Sequence, residues 1–186
     1  MRGKAGYLFK IGDHKQLAKK ILTHYKNQNK NKQMINYIAL LRGINVGGHR
    51  KVPMAELRQL MTDLGFEQVK TYIQSGNIIF KSPVENTAEL ALRIQNGILE
   101  RFGFEVPVIC LEAARLQHAV KSNPFATAST PIENLHLTFL SETPEESQVT
   151  ALEAMDYAPD QFLYQNAWIY LNIPGKYNKT KLSNAL

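Results

Sequence analysis

From Met34 onward the apolar positions follow two clear periods. Ile35 to Leu41 is a nearly continuous apolar run, as expected of a central strand. Pro53 opens a helix whose buried face is Met54, Leu57, Leu60, Met61 and Leu64, and Gly65 ends it. Gln68 to Ile73 and Asn77 to Lys81 are short β runs around Gln74-Ser75-Gly76, which reads as a hairpin. Asn86 and Glu89 form a capping box before the helical stripe Leu90, Ile94, Ile98 and Phe102. Val106 to Cys110 is a further strand. The order β-α-β-β-α-β is the ferredoxin-like unit.

After a short linking helix at 112–121 the order begins again. Asn134 to Leu140 reads as a strand. Thr143, Pro144 and Glu146 open a helix with Val149, Leu152 and Met155 as its apolar positions. Gln161 to Gln165 and Ala167 to Asn172 pair as a hairpin, and residues 179–186 start another helix. The expected fold class is therefore α+β, with two ferredoxin-like subdomains. The first spans 34–111. The second, with the linking helix, spans 112–186 and is incomplete at its C-terminal end, because the pattern stops inside a helix.

Residues 1–33 have a different pattern. Asp13 and Gln16 cap a helix that carries Leu17, Ile21, Leu22 and Tyr25 on one face. Asn27 to Gln33 has linker composition. This segment is expected to be a basic helical extension outside the domain. It holds nine Lys or Arg against one Asp, a charge of +8, whereas the remaining residues carry −2. The +6 total and pI near 9.4 thus belong to the extension, so a basic, nucleic-acid-binding domain face cannot be inferred from them. No apolar run is long enough to span a bilayer, and no signal peptide opens the chain. The single cysteine, Cys110, excludes an internal disulfide and suits the cytoplasm.

Three segments could carry chemistry. The first is Leu41 to Pro53, which leaves a strand and enters a helix N-terminus. Its glycines Gly43, Gly47 and Gly48 allow close backbone approach, and Arg42, His49, Arg50 and Lys51 supply positive charge. An anion such as phosphate would be favoured there, although the spacing is neither the dinucleotide fingerprint nor a P-loop. The second is Pro174 to Lys181, with Lys176 and Lys179. It is not a P-loop either: Tyr177 stands where Ser or Thr is required, and position 170 is Tyr rather than Gly. The third is the turn carrying Gln74, Ser75 and Asn77, neutral hydrogen-bonding groups that serve either a ligand or the turn itself. The five histidines lack metal-ligand spacing, so no metal is expected. Cys110 reads as a buried strand residue, and Glu145, Glu146, Glu153 and Asp156 as a solvated helix face. Trp168, Tyr164 and Tyr170 are expected to divide between the faces of a hairpin, and no RNP1 pattern occurs.

Four strings in this order, Leu40 to Gly48, Lys51 to Met54, Tyr72 to Asn77 and Gly175 to Asn184, resemble a bacterial family, the domain of unknown function 1697. The resemblance runs from Met34 to Leu186. It implies a cytoplasmic α+β protein with two ferredoxin-like parts and brings no established activity or cofactor. Members usually begin near Met34 and continue past Leu186, so the domain is expected to be cut short. Gly6 to Phe9, Gly12-Asp13, Leu17-Ala18 and Ile21-Leu22 are similar to the closing stretch of the donor lobe of two-domain glycosyltransferases, which carries no catalytic site.

The expected function is binding of an anionic small molecule, a phosphorylated one being one option, in a cleft between the halves. Arg42 and Lys176 would hold the anion beside the N–H groups of Gly47 and Gly48, Asn45, Gln74 and Asn77 would orient the rest, and Lys51, Ser75 and Lys179 are further candidate binding residues. No general base stands out, so no catalytic residue is assigned. The alternatives are a nucleic-acid-binding module or an interaction module without a ligand.

Overall fold

The computed structural model of the chain describes residues 6–10, 34–74 and 76–182. They form an α+β fold with two four-stranded antiparallel sheets and four α-helices. The strands are β1 (Gly6–Lys10), β2 (Ile35–Leu41), β3 (Glu67–Tyr72), β4 (Asn77–Ser82), β5 (Val108–Glu112), β6 (Leu135–Leu140), β7 (Gln161–Gln165) and β8 (Trp168–Asn172). The helices are α1 (Met54–Asp63), α2 (Thr87–Phe102), α3 (Ala113–Lys121) and α4 (Glu146–Glu153). The described residues fall into two compact units, 34–118 and 6–10 with 119–182, divided within α3.

In the first unit the sheet order is β3-β4-β2-β5. The continuous apolar run of β2 suits its inner place, with β4 on one side and β5 on the other. Tyr37, Ala39, Leu41, Ile78, Phe80 and Val108 lie on one face and meet Leu57, Leu60 and Met61 of α1 and Leu90, Ile94 and Ile98 of α2. Burying each such large side chain is worth about 1.5–3 kcal/mol. Asn86 caps α2 by accepting from the N–H groups of Ala88 and Glu89 at 3.0 and 3.2 Å. The two helices approach closely because Gly97 has no Cβ: one would lie 3.0 Å from Leu64 Cδ1 and 3.1 Å from Leu60 Cδ1. Arg93 of α2 then donates to the Leu64 carbonyl at 2.7 Å and lays its guanidinium 5.1 Å from the Phe66 ring centroid.

In the second unit the order is β1-β6-β8-β7. Ile169, Leu171, Ile173, Leu152, Tyr157 and Leu182 form one core. Trp168 and Tyr170 face away from Tyr164, since alternate strand residues point to opposite faces, as the sequence pattern predicts. A two-residue turn, Asn166 and Ala167, both at positive φ, joins β7 to β8.

Several boundaries differ from the sequence reading. Strand β5 begins at Val108 rather than Val106, because Pro107 has no N–H to offer a ladder. The cap of α4 is Glu145, paired reciprocally with Gln148, rather than Thr143. Met155 lies beyond that helix and is exposed. Within the segment expected to lie outside the domain, β1 pairs antiparallel with β6 over Gly6↔Leu140 to Lys10↔His136. The expected helix from Asp13 to Tyr25, the linker, Ser75 and residues 183–186 lie outside the described residues.

Candidate functional site

The β2–α1 connection is a small hairpin pinned at both ends. Leu41 N–H donates to the Gly76 carbonyl at 3.1 Å, and Arg42 N–H to that of Pro107 at 3.0 Å. Ile44 and Val52 are each 1% exposed and anchor the loop in the core. Between them Asn45 N–H donates to the Arg50 carbonyl and His49 N–H to that of Val46. Gly47 and Gly48, at φ +60° and +80°, are the central residues of the turn. Two successive left-handed residues give the I′ geometry that suits the twist of a hairpin. The glycine pair is therefore required by the turn itself.

Asn45 holds this loop together. Its Oδ1 accepts from Val52 N–H at 2.9 Å, and its Nδ2 donates to the Val52 carbonyl at 3.0 Å. The same Nδ2 donates to the Gln74 carbonyl at 2.8 Å, tying the loop to the β3–β4 turn. Both hydrogens of the amide and its oxygen are thus engaged with backbone. The expected ligand-orienting role of Asn45 gives way to a positioning one. Asn77 is also spent: it is a buried β4 residue, 7% exposed. The Gln74 side chain is exposed.

What the two tied loops leave outward is basic and apolar. Arg42, His49, Arg50 and Lys51 are exposed. Among the described residues none of these four side chains has a hydrogen-bond or ion-pair partner. Arg50 Nη1 lies 3.4 Å from where a Cβ on Gly43 would stand, so it folds back over that glycine. Val46 and Ile73 project beside them, 67% and 50% exposed. Ile73 has φ +51°, costly for a β-branched residue. Pro53 caps α1 without a side-chain acceptor, so the first N–H groups of that helix receive no side-chain cap.

The Pro174–Lys181 segment, in the second unit, is built around buried anchors. The Tyr177 ring stacks on His136 at 5.1 Å between centroids, and His136 is 1% exposed with its Nδ1 2.9 Å from the Asn134 carbonyl. Thr180 Oγ1 accepts from Leu182 N–H at 2.8 Å. Lys176, Lys179 and Lys181 remain exposed. Sequence reasoning missed His136 and also Lys81, a β4 lysine only 5% exposed. Each sits inside an apolar β run, where a single polar letter carries no local signal.

Cys110 packs against the first core, and burial pushes its thiol pKa up to about 12. Among the described residues no three His, Cys, Asp or Glu side chains gather as a metal site, and no helix is long and apolar enough to cross a membrane.

Together these features define an α+β protein whose glycine-containing β2–α1 loop is tied by Asn45 to the β3–β4 turn. Residues 34–170 match the family described as Protein of unknown function (DUF1697), and the chain belongs to it. Among solved structures it is similar to a conserved bacterial protein, SP0830, from Streptococcus pneumoniae. The two are 28% identical, with a TM-score of 0.67 and coverage of 81% of this chain and 84% of that one. No curated protein matches the chain.

Proposed function

We propose that the β2–α1 loop and the β3–β4 turn form a binding site for an anionic ligand, with Arg42, Arg50 and Lys51 as its charge-bearing residues. One observation carries this reading: Asn45 spends its whole amide on fixing two loops that present four exposed side chains, Arg42, His49, Arg50 and Lys51, without acidic partners among the described residues. Fixed positive charge beside uncapped helix N–H groups favours phosphate or carboxylate. On the second unit, considered by itself, exposed Lys176 and Lys179 are candidate anion contacts of their own. A cytoplasmic location is part of this proposal, since a lone cysteine suits a reducing compartment.

Within each unit we read a ferredoxin-like arrangement. Numbered inside its own unit, each sheet runs second, third, first and fourth strand, and in the second unit β1 takes the fourth place.

A thermal-shift series with inorganic phosphate, pyrophosphate and ATP tests the site. A saturable rise in Tm is expected, reduced in Arg42→Ala and Arg50→Ala. No rise, or one that both variants leave unchanged, would sink the proposal. A second reading takes the phosphates of a nucleic acid as the anion, and an oligonucleotide affinity that falls steeply with salt would select it.

A further inference from the structure

The second unit contains an open groove of about 510 Å³ that is distinct from both basic loops. Three aromatic residues line it: Phe125 from the loop after α3, and Tyr157 and Phe162 from either side of the α4–β7 connection. The Tyr157 and Phe162 rings meet edge to face, at 85° with centroids 5.7 Å apart, where the core of this unit reaches the groove. Asp156 and Asp160 line the same groove, and no Lys, Arg or His does. A local hydrogen bond engages the Asp156 carboxylate, and a backbone one fixes the chain at Asp160. Asp156 Oδ1 accepts from Ala158 N–H at 2.9 Å, and Asp160 N–H donates to the Tyr157 carbonyl at 2.9 Å. Met155 adds an exposed thioether at the rim.

Aromatic faces carry negative charge density, and paired with carboxylates they attract an organic cation more than a hydrated metal ion. We propose that this groove binds an alkylammonium group, seated against Phe125, Tyr157 and Phe162 with its charge toward Asp156 and Asp160. Because the groove is open, only the ammonium end of the guest is held and the rest stays in solvent. That suits a free amine or a lysyl side chain on a peptide.

The test is an NMR titration of the full chain with n-butylammonium and with neutral butan-1-ol, at equal ionic strength. Butylammonium is expected to shift the Phe125, Tyr157 and Phe162 signals saturably, with butanol about tenfold weaker. Asp160→Asn should weaken the cation about fivefold and leave butanol unchanged. Equal binding of the two probes would overturn the proposal, as would an absence of saturable shifts at these rings. The first criterion uses the unaltered protein and does not depend on the variant folding. Nα-acetyl-lysinamide forms a second arm: tighter binding than butylammonium assigns the guest to a peptide, and weaker binding to a free amine.

Discussion

The side-chain amide of Asn45 donates to the carbonyl of Gln74 at 2.8 Å, so one residue in the first connection fixes the position of a turn across the sheet edge. Asn45 also bonds Val52 in both directions and holds φ +54°. Two effects can be separated by substitution. Asn45→Ala loses the hydrogen bonds and strains a left-handed backbone, and should cost about 2–4 kcal/mol. Asn45→Gly loses the same bonds without the strain and should be about 1 kcal/mol less destabilising. Urea unfolding of the two variants measures the difference. Equal midpoints would mean that the backbone conformation is not what Asn45 is selected for.

Gly76 and Gly48 share a left-handed backbone but not a neighbourhood. A Cβ on Gly76, at φ +83°, would lie 2.7 Å from Leu41 Cβ and from Ile44 Cδ1. Leu41 Cβ is fixed to a central strand and cannot swing away. Gly76→Ala should therefore cost about 3 kcal/mol or more. A Cβ on Gly48, at φ +80°, meets nothing within 4 Å. Gly48→Ala should cost only the strain, about 1–2 kcal/mol. Thermal unfolding should rank the two variants in that order.

The fold was legible where one period governs a long segment. The apolar run of β2 and the helical stripes of α1 and α2 announce themselves locally, and so does Gly65 at the end of α1. Asn45 was not legible, because its partners lie seven and twenty-nine positions away and the same amide could serve a ligand equally well. The place of β1 was hidden for a related reason. Its pairing with β6 joins segments far apart in the sequence, and nothing in Gly6 to Lys10 names that partner. His136 was hidden by its surroundings: a histidine inside an apolar strand looks like a packing residue until Tyr177 is found stacked on it.

Arg101 and Asp63 link the ends of α2 and α1 at 2.6 Å, and Gln59 donates to the same carboxylate at 2.8 Å. The hydrogen bond from Arg101, and then that from Gln59, hold the Asp63 pKa below its ordinary 3.8. A depressed carboxylate pKa stabilises the folded state above the unfolded value, and the effect is lost as pH falls through the folded value. Wild type should therefore exceed Asp63→Asn in stability at neutral pH. The gap should close below pH 3.8, and raised salt should narrow it because the pair is solvent-exposed. A gap that persists unchanged at acid pH would show that charge is not its source.

Cys110 gives the opposite sign on the alkaline side. Burial pushes its thiol from 9.0 up to about 12, since a thiolate in apolar surroundings loses its hydration. A raised pKa means that the folded state retains the proton after the unfolded chain has lost it. The associated stability is fully present below pH 9.0 and declines as pH rises toward 12. The stability of Cys110→Ala should fall less steeply with pH over that window. Tyr37, whose pKa burial also raises, titrates in both proteins and largely cancels in the comparison. The same burial predicts chemistry at neutral pH. Because the thiolate is the reactive form, iodoacetamide at pH 8 should label Cys110 rapidly in denaturant and far more slowly in the native chain. A native rate equal to the denatured one would show that Cys110 reaches solvent, and the expected alkaline difference would then disappear with it.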